Sequence, residues 1–204
     1  MAEIKNIIFD FGGVLIDWNP LNVYSKAFNG DIEKANWFLK HICTTSWNIE
    51  QDAGRSLADA TELKINEFPE YEDLIRMYYD QWEDMLSGAI QGTVDILESL
   101  SASQRYRLYA ITNWSAETFP IAQRKYEFLS WFEGIIVSGE VKMTKPAKDI
   151  FQHAFRTFKV TPESSIFIDD NRDNIDTANL LGMKGIWFDH SAQLKQELKT
   201  LGVL

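Results

Sequence analysis

The chain has 204 residues, 45% hydrophobic and 13% aromatic, which is enough apolar mass for one packed domain or one domain carrying a sizeable insertion. Its formal net charge of −10, without any long basic block, argues against nucleic acid or an anionic membrane surface as a partner. A single cysteine, Cys43, rules out a disulfide framework, no apolar run reaches the ~20 residues of a membrane-spanning helix, and the N-terminus enters a strand pattern with no leader, so a cytoplasmic protein is expected.

The first element is Lys5-Asn-Ile-Ile-Phe-Asp10, an apolar strand that ends in a carboxylate and is followed by Phe11-Gly-Gly-Val-Leu15. A buried strand that delivers an Asp to its C-terminal end and then turns on glycine presents a reactive group in the crevice of an open α/β sheet. Asp10 is therefore the first candidate nucleophile or metal ligand. Residues 17–88 change character. Trp, Phe, Leu and Met recur there at helical spacing, as in Ala35–Ile42 and Leu74–Trp82, with no strand pattern of comparable quality. Within them, Trp47–Arg55 breaks the helical pattern with Gly54 and several charges. It reads either as a loop dipping toward the crevice to choose the substrate or as a plain helix–helix turn.

From Ser87 onward strands and helices alternate. Tyr106–Ile111, Gly134–Ser138, Ser165–Asp169 and Gly185–Asp189 are β-prone runs. Thr93–Leu100, Ala116–Lys125, Lys148–Phe158 and Ile175–Leu181 are helical, the last stopped by Gly182. This alternation predicts an α/β fold with a doubly wound parallel sheet, a Rossmann-like core. The core would comprise residues 1–16 and 89–204, with a helical cap of residues 17–88 inserted after the first strand.

Polar clusters fall at the C-terminal ends of the later strands too. Thr112-Asn113 precedes a helix whose N-terminal amides offer an anion site. Lys145 stands before Pro146 at an expected helix start. Asp169-Asp170-Asn171 is followed by Asn174, which is expected to face Asp170 across the first helical turn. In a doubly wound sheet these tips converge. They bring together a carboxylate nucleophile, a hydroxyl and amide to hold an anion, a lysine to neutralise it, and carboxylates for a hard cation such as Mg²⁺. That inventory suits phosphoryl transfer, which is mostly positioning and electrostatic stabilisation. Trp114 is a candidate wall of the substrate site, or else a packing residue against a neighbouring helix. His41, His153 and His190 lack metal-ligand spacing and read as structural or surface residues. Cys43 reads as core, and Asp173 and Asp176 as solvated acids complementing a helix dipole.

In its motifs the chain resembles the haloacid dehalogenase-like hydrolase superfamily, in the branch with a helical cap after the first motif. Phe9-Asp10-Phe-Gly-Gly-Val-Leu15, Ile111-Thr112-Asn113, Lys145-Pro146 and Phe167-Ile-Asp169-Asp170-Asn-Arg-Asp-Asn174 carry the likeness, in the family's order and across nearly the whole chain. The resemblance implies that Asp10 attacks phosphorus to form an aspartyl-phosphate, and that Thr112 and Lys145 hold phosphoryl oxygens. It further implies that Asp10, Asp170 and the backbone carbonyl of Gly12 bind Mg²⁺, with Asp169 and Asn174 supporting the metal shell or Lys145. Asn113 and Trp114 would contact the substrate, a small phosphorylated metabolite of the sugar-phosphate type.

Gly12 departs from the pattern. Most phosphatases that this chain resembles carry Asp there, to protonate the leaving alkoxide and later activate water. General acid–base help is worth ~10²–10⁴-fold in rate. Without it, the substrate has a good leaving group, or a cap residue or an ordered water supplies the proton; Asp17, at the hinge into the cap, is one candidate. Two rival readings stand beside the phosphatase: a metal-independent 2-haloacid dehalogenase, and a non-catalytic module that binds a phosphorylated ligand or a partner. A phosphoryl-accepting receiver domain is disfavoured by the helical insert. Monomer and homodimer are both compatible with the sequence.

Overall fold

The computed structural model describes residues 3–204. Strand β1 (Asn6–Phe9) is buried along its whole length. After the Gly12-Gly13 turn the chain forms a short strand β2 (Ile16–Trp18), then helices α1 (Leu21–Ala27), α2 (Ile32–His41), α3 (Thr45–Asp52), α4 (Leu57–Glu67) and α5 (Glu72–Asp80), and returns through β3 (Leu86–Ala89). The rest alternates: α6 (Gln91–Ser103), β4 (Arg107–Thr112), α7 (Phe119–Lys125), β5 (Gly134–Val137), the single turn α8 (Ser138–Val141), α9 (Lys148–Phe158), β6 (Ser165–Asp169), α10 (Arg172–Leu180), β7 (Lys184–Trp187) and α11 (Ser191–Thr200).

Among the described residues the principal sheet has five strands in the order β5-β4-β1-β6-β7, and all its pairings are parallel. From central β1 the chain builds outward through β4 and β5, then crosses back to lay down β6 and β7 on the other side. That reversal makes the carboxyl ends of β1, β4 and β6 the crevice of the sheet. The two-residue period of a strand decides which helices cover which face. Ile7 and Phe9 of β1, Leu108 and Ala110 of β4, and Ile166 and Ile168 of β6 join one apolar cluster with α6, α11 and the helices after β2. Ile8, Tyr109, Ile111 and Phe167 join the other, with α9 and α10.

The helical insert carries its own start signals. Asp31, Thr44 and Ser56 accept hydrogen bonds from the backbone N–H of Lys34, Trp47 and Asp59, at 3.0, 3.1 and 3.1 Å, satisfying amides that a helix start leaves free. Its interior is aromatic. The Tyr24 ring lies tilted against Phe38 with centroids 4.9 Å apart, Trp47 meets Tyr78 edge-on at 5.1 Å, and Tyr24 Oη donates to the Leu74 carbonyl at 2.8 Å.

Several local expectations need correction. β2 and β3 pair antiparallel at the joint where the chain enters and leaves the insert, with Ile16 opposite Ala89. These strands have three and four residues and are about 70 residues apart, so neither shows a periodicity that a sequence window could detect. The helix expected from Ala116 begins at Phe119, and the one expected from Ile175 begins at Arg172, where Asn171 caps it by accepting from the Asp173 N–H at 2.9 Å. Trp47–Arg55 is neither loop nor plain turn: most of it is the body of α3. Helix α11 had no counterpart among the expected elements. Among the described residues no helix is long and apolar enough to cross a membrane.

Phe151 on α9 is fully buried edge-on against Phe167 of β6, with ring centroids 5.2 Å apart. Phe151→Ala is expected to destabilise the fold by about 3–5 kcal/mol in denaturant unfolding, the usual cost of deleting a buried phenyl group.

Candidate active site

The tips of β1, β4 and β6 meet around one buried ammonium. Lys145 Nζ lies 2.9 Å from Asp10 Oδ1 and 2.7 Å from Asp169 Oδ2, and Lys145 itself is almost wholly buried. Burial alone would lower its pKa, but the charges of Asp10 and Asp169 outweigh this and hold it above the ordinary lysine value, so the ammonium stays protonated. Its backbone is fixed as well. The Asn113 side chain donates from Nδ2 to the Lys145 carbonyl and accepts the Lys145 N–H at Oδ1, both at 2.9 Å. Asn113, expected to touch substrate, thus spends its amide on placing the lysine.

Asp169 is fully buried and has its oxygens committed. Besides Lys145, it receives both-oxygen contacts from Asn174 Nδ2 at 3.0 Å and the Asn171 N–H at 2.8 Å. Asn174 therefore braces Asp169, not Asp170 as its spacing predicted. Helix α10 starts at Arg172, so its first turn points Asn174 back at the strand end. Asp170 turns instead toward Gly13. A Cβ added at Gly13 would lie 2.3 Å from Asp170 Oδ2, and Gly13 has φ +73°, a backbone that favours glycine on its own account.

Asp10 is buried, and its Oδ1 accepts the Phe11 N–H at 2.7 Å. Burial is the largest influence on its carboxyl and pushes it up to about 7, with the Lys145 ammonium pulling the other way. Oxygen atoms of Asp10, Asp169 and Asp170 all lie within 4.8 Å of one another. With Asp169 occupied by Lys145 and Asn174, Asp10 and Asp170 are the carboxylates left to face a cation. An all-oxygen, doubly anionic pair of this kind fits Mg²⁺.

A cavity of about 320 Å³ opens at this point. Its core wall carries Asp10, Gly12, Gly13, Asn113, Trp114, Lys145, Asp170 and Asn174, so most of the residues singled out from sequence share one space. Thr112 does not reach that wall. It ends β4 fully buried, and its Oγ1 has no hydrogen-bond partner. Trp114 lines the cavity and also packs edge-on against Phe119 at 5.9 Å. Asp17 is exposed on β2 and off the cavity wall, which its neighbour Trp18 occupies instead. His41 and His190 are exposed, His153 is half-buried and Cys43 is buried, each away from this cavity.

The opposite wall comes from the insert: Thr45, Asn48, Ile49 and Asp52 of α3, with Trp82. Asp52, Asn48 and Trp82 were not individually foreseen. The available signal was the charged stretch ending at Gly54, and what hid them was that α3 buries its polar face. Gly54 (φ +100°) lets this end of α3 come close to the core, since a Cβ there would sit 2.9 Å from Lys142 Cγ and 3.2 Å from the Gly139 carbonyl.

The sequence profile described as haloacid dehalogenase-like hydrolase matches residues 7–188. The chain belongs to this family. Among curated relatives, this haloacid dehalogenase-like hydrolase is 24% identical over 203 residues to a D-ribitol-5-phosphate phosphatase of Bacteroides thetaiotaomicron, covering 97% of this chain and 98% of that one. It is 28% identical over 205 residues to a sesquiterpene phosphatase of Aspergillus oryzae, covering 98% and 97%. A solved structure of a HAD-family enzyme from Bacteroides thetaiotaomicron, in complex with magnesium and inorganic phosphate, shares its fold. The TM-score is 0.68 at 21% identity, over 92% of this chain and 95% of that one.

Asp52 is the second buried carboxyl on the cavity. Burial raises it to about 7, the charge of Asp10 adds to this, and the Ser115 backbone N–H opposes it. Between about pH 4 and pH 7 the folded hydrolase therefore holds a proton here that the unfolded chain has released, and stability falls as pH rises through that window. Asp52→Asn removes this loss. Its denaturant stability relative to wild type is expected to improve from pH 5 to pH 8, whereas a difference that stays constant with pH would contradict the assignment.

Proposed function

We propose that this hydrolase is a Mg²⁺-dependent phosphatase of a small phosphorylated metabolite, of the sugar-phosphate type, working through an aspartyl-phosphate on Asp10. The observation that carries the reading is the meeting of Asp10, Lys145 and Asp170 at one small cavity: a nucleophilic carboxylate, a fixed cation and a second carboxylate on one wall. The phosphatases among its relatives support the reaction class, and the D-ribitol-5-phosphate phosphatase supports the substrate type. In this reading residues 1–16 and 89–204 form the catalytic core and residues 17–88 the cap, with the β2–β3 ribbon as the joint. One lone buried cysteine is in keeping with a cytoplasmic setting.

Asp10 attacks phosphorus in line with the leaving oxygen. Lys145 neutralises the phosphoryl oxygens, and because Asp169 and Asn113 fix it at both ends it needs no rearrangement as charge develops. The Thr112 hydroxyl is buried without a partner and off the cavity wall, so in this reading it turns toward the cavity to meet a phosphoryl oxygen when substrate binds; an unmet buried donor of this kind costs about 1–3 kcal/mol. Trp114 and the α3 side chains bound the space for the rest of the substrate. When bound, Mg²⁺ would be held by Asp10, Asp170 and the Gly12 carbonyl and would offset the negative charge of the transferring phosphoryl group.

Phosphate release across a panel of sugar phosphates, including 1-phosphates and 6-phosphates, tests the reading. Activity is expected with Mg²⁺, absent in EDTA, and restored by added Mg²⁺. Asp10→Asn is expected to reduce it to background. Full activity in Asp10→Asn, turnover indifferent to chelation, or chloride release from a 2-haloacid in EDTA would each overturn it.

Gly13→Ala offers a second test, because its Cβ collides with Asp170 and its backbone is strained. It is expected to raise the Mg²⁺ concentration needed for half-maximal turnover at least tenfold, measured by Mg²⁺ titration of phosphate release.

A further inference from the structure

An alkyl phosphate leaves its alkoxide far more readily when a proton is supplied, and Gly12 has no side chain to supply one. Crowding is not the reason, since a Cβ built on Gly12 meets no atom within 4 Å and its backbone is not left-handed. The space beside Asp10 where an acidic side chain would reach is simply open. Among the residues that line the same cavity from the insert is Asp52, at the last position of α3, close enough to Asp10 for the two charges to interact.

Asp52 is buried and sits on the wall of the same cavity as Asp10, Gly12, Lys145 and Asp170. Its side-chain contact is weak, with Asn48 Nδ2 donating to Oδ2 at 3.3 Å. The groups around it do not neutralise it. Arg55, three residues on, is turned away, bonding Gln51 Oε1 at 2.8 Å and the Trp47 carbonyl at 3.2 Å. From α5, Tyr79 is engaged with Gln51 and Asn48, and Tyr78 is buried and neutral. Across the cavity, Lys145 is already held by Asp10 and Asp169, and burial together with the Asp10 charge outweighs the opposing Ser115 backbone N–H. A buried carboxyl with no cation of its own keeps its proton near neutrality.

We infer that Asp52, contributed by the cap, is the general acid and base that replaces the acid missing at position 12. The inference rests on the phosphatase reading above. In the first half-reaction an Asp10 oxygen forms a bond to phosphorus as the bond from phosphorus to the leaving oxygen breaks. The leaving oxygen takes the electron pair and accepts the proton of the Asp52 carboxyl, which releases an alcohol. In the second, water attacks phosphorus and gives its proton to the Asp52 carboxylate while the bond between phosphorus and Asp10 breaks. Inorganic phosphate leaves, Asp10 is again a carboxylate and Asp52 is again protonated.

This arrangement ties turnover to cap position. The acid arrives only when α3 lies against the core, which Gly54 permits by close approach to Gly139 and Lys142.

Asp52→Asn, an isosteric change, separates the outcomes when assayed with a 6-phosphate and with p-nitrophenyl phosphate, whose leaving group needs no proton. For the alkyl phosphate, kcat/KM is expected to fall by ~10²–10⁴-fold, the usual range for general acid catalysis. For p-nitrophenyl phosphate, kcat/KM should fall far less, while kcat drops and a burst of p-nitrophenol appears, because water attack on the phospho-Asp10 has lost its base. Adding Gly12→Asp to the Asp52→Asn variant should recover much of the alkyl phosphatase activity. An equal loss of kcat/KM on both substrates, or no loss on either, would overturn the role of Asp52. If the wild-type enzyme releases phosphate and Asp10→Asn does not, such a result counts against Asp52 alone. A wild-type enzyme inert toward every phosphate ester would remove the phosphatase reading and this inference with it.

Discussion

A lysine ammonium buried between two carboxylates is the interaction on which the rest of the site depends. Taking such a charge out of water costs several kcal/mol unless partners and hydrogen bonds replace its hydration, and removing one partner of a buried pair typically costs about 3–5 kcal/mol. Lys145 meets that demand with Asp10 from β1 and Asp169 from β6, while Asn113 from the end of β4 holds its backbone. Three strand ends are thereby fixed relative to one another. Asn174 and the Asn171 N–H then complete the shell of Asp169. What remains uncommitted faces the cavity: one side of Asp10, Asp170 and the open space at Gly12.

The sheet makes this meeting possible. Because β4 and β6 flank β1 in parallel register, with Phe9 opposite Ala110 and Ile168, their carboxyl ends fall at one level. The insert leaves from that same end and returns through the β2–β3 ribbon. It shares a continuous apolar cluster with one face of the sheet, so its helices are seated on the core by the same burial that closes the sheet. The cavity is the gap between these two bodies. Its far wall is therefore made of residues whose helix owes its place to packing elsewhere.

Much of this was legible in the sequence, for identifiable reasons. Each strand of the principal sheet is a largely apolar run of four to six residues, and Asp10, Asn113 and the Asp169-Asp170 pair sit at the ends of three of them, so strand detection found these groups but not Lys145, which lies in the turn before α9. Where local pattern was weak, legibility failed. β2 and β3 are short and stabilise each other across a long sequence gap. Asn174 was assigned to the wrong aspartate, because helical spacing gives a face but not the residue that the start of α10 aims at. Thr112, expected to hold a phosphoryl oxygen, lies buried off the cavity wall, while Asn113, read as a substrate contact, lines the cavity and also clamps Lys145.

The order of the elements, the strand-end chemistry around Asp10 and the lack of an acid at position 12 are all readable along the chain. These follow from local composition, since a strand end and its turn are written in consecutive residues. Which residues share the cavity with Gly12 depends on how distant segments pack. Asp52 looks like one more acid at the end of a surface helix. Its burial, its lack of a cationic partner and its place opposite Asp10 arise only when α3 docks on the core, where Gly54 and Gly139 come close. Electrostatic environment is set by everything within several ångströms, and for Asp52 that includes Asp10 and the Ser115 backbone N–H, both from elements far from α3 in the sequence.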